Sequence, residues 1–179
     1  LEDREIIELI LDGQKEAYAL IMRKYHRELF RYVYNMVGEY ALVEDLVQDI
    51  FIHVYTQLSR YDADKAQFRT WLYRVSGNLI LNFLQSSSKK QRNQEIEYLD
   101  ALADEHPNES SDDNGAQIEL IIAAMKRVLT PKEMQMVSYH YFHDLTIQEV
   151  ADILELSNKT VYKQMQNALD KVRKEVHHG

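Results

Sequence analysis

Three groups of side chains have the types and spacing to recognise another molecule. Glu44, Asp45, Gln48 and Asp49 recur at intervals that put them on one face of a helix, a compact acidic surface with no apolar interruption. Arg60, Lys65, Arg69 and Arg74 are interleaved with Tyr61, Phe68, Trp71 and Tyr73. Cationic and aromatic planes in such a mixture grip unstacked bases, although Phe68 and Trp71 fall on the apolar side of the helical period and read as core. Near the C-terminus, Lys159, Tyr162, Lys163, Gln166 and Asn167 share the outer face of a helix whose inner face is Val161, Met165, Ala168, Leu169 and Val172. Amide side chains pair with adenine in a major groove, and lysine reaches guanine or phosphate. A solvated amphipathic helix closing a bundle has the same pattern, so that helix by itself leaves both readings open.

Catalytic chemistry finds little support. His140 and His143 have a possible i, i+3 ligand spacing, but a metal site in a bundle needs Glu-x-x-His motifs aimed inward. The acids at 44–49 point away from the apolar stripe. There is no glycine-rich phosphate loop and no nucleophile triad, and cysteine is absent. We expect no enzyme activity, no metal and no cofactor.

The 179 residues carry a formal charge of −8, which taken alone argues against nucleic acid as a partner. The distribution argues otherwise. Residues 59–92 sum to +5, and residues 93–125 hold nine acidic side chains and no basic one. Five glycines and two prolines favour helices over a β-rich architecture. No apolar run reaches the ~20 residues of a membrane span, and the first residues do not resemble a secretion signal.

The elements that must position these groups are helical throughout. Periodicity predicts a short helix over Asp3–Leu11, then one over Lys15–Val37 with Tyr18, Ile21, Met22, Tyr25, Leu29, Val33 and Met36 inward and Gly38 as its stop. A third over Ala41–Leu58 buries Leu42, Val43, Leu46, Val47, Ile50, Val54 and Leu58. A fourth over Phe68–Gln85 buries Phe68, Trp71, Leu72, Val75, Leu79 and Phe83 and carries the polar stripe Thr70, Arg74, Asn78 and Asn82. Residues 86–115 are too polar to offset their chain entropy and read as a flexible linker. Beyond it, Ile118, Ile121, Ile122, Met125 and Val128 mark a fifth helix. Thr130-Pro131-Lys132-Glu133 and Thr146-Ile147-Gln148-Glu149 are capping boxes that open two more. A tight turn, Glu155-Leu156-Ser157, leads into the last helix, giving a helix-turn-helix layout. The expected fold is all-α: one domain over 1–85, the acidic linker, and a second domain over 116–179.

With these motifs in place the chain resembles a bacterial sigma factor of the extracytoplasmic-function type. Glu44-Asp45-Leu46-Val47-Gln48-Asp49-Ile50-Phe51 is similar to the family's region 2.2. It is followed at the usual distance by Phe68-Arg69-Thr70-Trp71-Leu72-Tyr73-Arg74-Val75 and Asn78, and Leu145–Ala151 with Ser157–Val161 resembles region 4. The resemblance implies that Glu44, Asp45, Gln48 and Asp49 dock on the clamp helices of core RNA polymerase, with the flap as a further contact. It implies that the loop Ser59–Gln67 and the fourth helix read and open the −10 promoter element. Arg60, Tyr61, Lys65, Arg69, Arg74, Asn78 and Asn82 are the residues expected to do so. Thr146, Ser157, Asn158, Lys159, Thr160, Tyr162, Lys163, Gln166 and Asn167 would read the −35 element as duplex. By analogy it also implies an anti-sigma partner, a cytoplasmic location and no membrane insertion.

Two features depart from the family pattern. Gln164, Asn167 and Leu169 stand where several arginines are usual, and Gln85 replaces a basic residue at the end of the fourth helix. Fewer phosphate contacts imply a weaker, less salt-sensitive −35 interaction. The rival functions are a stand-alone helix-turn-helix regulator of duplex operators and a helical metal enzyme. The first has no use for the 44–49 face, and metal analysis of purified protein disposes of the second. Charge alone suggests that the acidic linker folds back on basic surfaces of the free protein. Neutralising Asp100, Asp104, Glu105, Asp112 and Asp113 is then expected to tighten binding to random-sequence DNA at low salt; an unchanged affinity would refute it.

Overall fold

The computed structural model describes residues 1–94 and 113–178, with side chains over 1–88 and 115–178. The described residues form eight α-helices: α1 (Asp3–Leu11), α2 (Tyr18–Val37), α3 (Tyr40–Gln57), α4 (Phe68–Gln94), α5 (Asp113–Val128), α6 (Pro131–Tyr141), α7 (Ile147–Leu154) and α8 (Asn158–His178). No described helix is long and apolar enough to cross a membrane.

The helix ends follow from local chemistry. Gly38 stops α2 in the left-handed region at φ 78°, its N–H donating to the Tyr34 carbonyl at 2.8 Å. Both capping boxes close as expected. The Thr130 N–H donates to Glu133 at 2.9 Å and the Thr146 N–H to Glu149 at 2.7 Å, and both threonine hydroxyls accept in return. One boundary differs from expectation. Helix α4 runs through Ser86-Ser87-Ser88 to Gln94, so the helix extends into the stretch read as linker. Ser88 donates its hydroxyl to the Leu84 carbonyl at 2.9 Å, which lets the polar run stay helical instead of breaking it. Asp100, Asp104, Glu105 and Asp112 lie outside the described residues, as does the Asp113 side chain.

Helices α1 to α4 contribute Ile21, Leu29, Val47, Ile50, Phe68 and Leu72, and α6 to α8 with the α6–α7 turn contribute Leu145, Val150, Val161 and Ala168, to one continuous core. Three residues expected inside are exposed: Met22, Ile118 and Ile121. Met22 sits at the edge of the α2 stripe. On α5 the packing against α8 uses Ala124 and Met125 instead.

The two domains do not hang apart on a tether; they pack directly. Tyr32 of α2, Tyr73 of α4 and Tyr139 of α6 are each 0% exposed and meet ring to ring, with centroids 5.3–5.4 Å apart. Their polar tips are satisfied across the boundary. Gln135 Nε2 donates to the Tyr32 hydroxyl at 2.9 Å, Tyr139 donates to the Tyr73 carbonyl at 3.0 Å, and the Tyr32 and Tyr139 hydroxyls lie 3.1 Å apart. Gly77 makes this approach possible: a Cβ there would run into the Tyr139 hydroxyl and the Gln135 amide, closer than real contacts allow. Arg69 donates to the His143 carbonyl and Arg74 to the Asp152 carbonyl, both across the seam.

The seam is not fully satisfied. Arg74 Nε and His143 Nε2 are buried without a hydrogen-bond partner, and each such group costs about 1–3 kcal/mol. His143 is 4% exposed between Tyr32 and Tyr73. Burial, helped by Arg31 and Arg69 and opposed by Glu28 and Asp144, pushes its pKa down from 6.5 to about 4.

Two tests follow from this packing. An opened seam returns His143 to its ordinary pKa, so the open form takes up a proton over a range where the closed form does not. Closure is therefore at full strength above about pH 6.5 and weakens as pH falls toward 4. Between pH 7 and 5 the loss amounts to about 2 kcal/mol. Small-angle scattering is expected to show the radius of gyration rising over that range, and a flat profile in His143→Phe. A constant radius in the wild type would count against it. Separately, Glu155 caps α7 in the left-handed region at φ 55°, a conformation costly for any residue with a Cβ. Glu155→Gly is expected to stabilise the protein by about 0.5–1 kcal/mol, read as a higher urea midpoint.

Candidate nucleic-acid interface

The acidic surface on α3 is as expected. Glu44, Asp45, Gln48 and Asp49 are exposed while Val43, Val47, Ile50 and Val54 point inward. Among the described residues the three carboxylates form no ion pair with this chain. Beside them lies a groove that sequence reasoning missed, a cleft of about 600 Å³ lined by Tyr18, Met22, Gln48, Phe51, Ile52 and Tyr55. Ile52, 64% exposed, is the signal that was available: one turn beyond Gln48, it sits on the polar side of α3, where solvent would not select isoleucine.

The expected −10 residues fall into two sets. Arg60, Tyr61 and Lys65 lie on the loop between α3 and α4. Tyr61 donates to the Ala66 carbonyl at 3.0 Å, and its ring meets Phe68 and Trp71 at 5.4 Å. Lys65 pairs with Asp62 at 3.3 Å, and the loop frames a cleft of about 450 Å³ against Arg4, Ile7 and Leu11 of α1. Trp71 is half-buried and Phe68 fully buried, in line with their reading as core.

Asn78 and Asn82 are exposed on α4, whereas Arg69 and Arg74 are committed elsewhere. Arg69 Nε donates to Glu28 at 2.8 Å, and Glu28 also accepts from Tyr73 at 2.7 Å. Both arginines also reach across the seam to backbone carbonyls. In this closed arrangement the α4 stripe is half-buried at Arg74, as is neighbouring Arg69, and exposed at Asn78 and Asn82. Thr70, in the same stripe, is buried.

The helix-turn-helix forms as the capping residues dictate. Glu155 reverses the chain, and Ser157 Oγ accepts from Thr160 N at 3.1 Å to start α8. Asn158 Nδ2 donates to Gln148 Oε1 at 2.8 Å, and Gln148 Nε2 donates to Asp152 at 2.9 Å, which ties the first turn of α8 to α7. Lys159, Tyr162, Lys163, Gln166 and Asn167 line the exposed face, Thr160 is half-buried, and Thr146 is spent on its cap. The arrangement presents one polar helix, braced from behind, at a width a major groove accepts. His140 and His143, the possible ligand pair, are apart in role: His140 Nδ1 lies 2.7 Å from the Leu145 carbonyl, while His143 is enclosed in the seam.

Comparison with known proteins agrees with this layout. Sigma-70 region 2 matches residues 21–90 and Sigma-70, region 4, matches residues 127–174. The chain is 24% identical over 186 residues to the ECF RNA polymerase sigma factor SigW of Bacillus subtilis, covering 95% of this chain and 94% of that protein. It is 25% identical over 150 residues to the sigma factor BldN of Streptomyces coelicolor, spanning 84% of this chain but 56% of BldN. Among solved structures, CnrH in complex with the cytosolic domain of CnrY superposes with a TM-score of 0.69 at 20% identity, covering 98% and 97% of the two chains. RpoE bound to the anti-sigma factor NepR from Bartonella quintana gives 0.70 at 12% identity, covering 89% and 96%. With region 2 carrying the acidic α3 face and region 4 the helix-turn-helix, the chain belongs to the sigma-70 family and is an RNA polymerase sigma factor of the extracytoplasmic-function type.

Proposed function

We propose that α1–α4 dock on core polymerase through the α3 face, that the 59–67 loop and α4 read and open the −10 element, and that α8 reads the −35 element. The observation that carries this is the α3 surface: exposed carboxylates without ion-pair partners among the described residues, next to an exposed apolar groove. Such a pairing suits a protein partner that brings both cations and an apolar side chain. A duplex-operator regulator has no use for it. The protein supplies no catalysis of its own; it works in the cytoplasm with the polymerase and promoter DNA, and an anti-sigma partner binds it between uses.

Opening is part of this reading. Arg69 and Arg74 cannot hold carbonyls across the seam and contact a promoter strand at once. The two domains must therefore part before the −10 element is gripped, and extruding a base then costs a few kcal/mol of unstacking, offset by contacts in the loop cleft.

The deciding experiment is size-exclusion chromatography with core polymerase. Wild type is expected to co-elute, and Asp45→Ala/Gln48→Ala/Asp49→Ala to lose co-elution with helicity by circular dichroism unchanged. Failure of the wild type to co-elute, with any anti-sigma partner absent, would favour the stand-alone regulator.

A further inference from the structure

A second cleft lies on the seam itself, away from the α3 face, the 59–67 loop and α8. Its volume is about 490 Å³, and it is lined by Lys24, Arg27, Glu28 and Arg31 of α2, Arg69 of α4, and Phe142-His143-Asp144 of the α6–α7 turn. Four of these side chains are cationic and two anionic, a local excess of positive charge on a protein whose total is −8. Two of the cations are neutralised: Lys24 pairs with Asp3 at 2.6 Å, and Arg69 with Glu28. Arg27 and Arg31 are exposed at the rim and, among the described residues, form no ion pair. Neither residue belongs to the surfaces assigned to polymerase or promoter.

We propose that this cleft binds a small polyphosphate, such as a nucleoside triphosphate, and that it does so only in the closed form. Guanidinium groups bind phosphate oxygens in a fork geometry that lysine lacks. Along α2 the two guanidinium groups of Arg27 and Arg31 sit one turn apart, about 6 Å, a spacing suited to neighbouring phosphates of one chain. The volume falls within the range of small-molecule sites, roughly 300–1,000 Å³. The opposite wall comes from the other domain, so the site exists only while the seam is shut. On that wall His143 keeps a ring nitrogen without a partner, and a ligand that strengthens closure stabilises the form that already bears this cost. A ligand that binds one form shifts the population toward it.

The test is isothermal titration of the full chain with sodium triphosphate and with ATP, free of divalent metal, at fixed ionic strength. One saturable site is expected, weakened at least tenfold by Arg27→Gln/Arg31→Gln. Gly77→Ala is expected to weaken it comparably: it leaves every cation in place and improves α4 as a helix, but wedges the seam. Tyr139→Phe, which loosens the same seam without a clash, is the second variant should Gly77→Ala fail to fold. Absence of saturable binding would overturn the proposal. So would wild-type affinity in both seam variants, which would place the anion on α2 alone. Equal competition by sulfate, or displacement by promoter-free duplex DNA, would reduce the site to unspecific charge or assign the arginines to DNA. Polymerase co-elution reports on the sigma reading independently of all these outcomes.

Discussion

The arrangement of this molecule rests on one close approach, that of Tyr139 and Gln135 to the backbone of α4 at Gly77. Three tyrosine rings and one glutamine amide fill the space between two helical domains, and every hydroxyl among them finds a partner. Aromatic burial favours closure without direction, whereas the hydrogen bonds demand a single register between the domains. Because α4 contributes both Tyr73 and Gly77, the helix proposed to read the −10 strand is also the surface on which the second domain sits.

That double duty explains which functional residues are available. Asn82 and the acidic face of α3 are exposed, and Asn78 opens onto a cleft at the edge of the seam beside Lys132, Gln135 and Gln164, while Arg69 and Arg74 are drawn into the seam. Arg69 keeps the Glu28 carboxylate as well as the His143 carbonyl, whereas Arg74 is held by the Asp152 carbonyl, a modest partner for a guanidinium. A phosphate or carboxylate is a stronger one. Among the described residues Arg74 Nε is buried without a partner, so the closed form leaves Arg74 less satisfied than the promoter phosphate of the proposed function would.

Much of the fold was legible from spacing. The apolar periods located α1 to α5 and α8, Gly38 marked the end of α2 and the two Thr-x-x-Glu boxes the starts of α6 and α7, and the acidic face of α3 stood out because Glu44, Asp45, Gln48 and Asp49 cluster opposite its apolar stripe. The seam was not legible, and the reason is physical. Tyr32, Tyr73, Tyr139 and Gln135 are amphipathic side chains that fit solvent or core equally well by type, and only the partner across the boundary decides. Gly77 looks like a flaw in a helix until the Tyr139 hydroxyl is seen against it. Met22, Ile118 and Ile121 erred the other way, since apolar type alone cannot say that a neighbouring helix stops short. The apolar groove at Ile52 escaped for the same reason as the seam: an exposed isoleucine forms a groove only beside Tyr18 and Met22, which come from another helix.

The engagement of Arg69 and Arg74 by the second domain also alters what any promoter measurement on this protein reports. If only the open fraction can grip the −10 strand, the observed dissociation constant is the intrinsic one divided by that fraction. Each 1.4 kcal/mol by which the seam favours closure then appears as a tenfold loss of promoter affinity, with no base contact altered. Under the proposed function, a substitution at Tyr139, which lies outside the proposed promoter-reading residues, would change promoter strength across all sequences by one common factor. The seam would then act as a gain control on a reader whose specificity is set elsewhere.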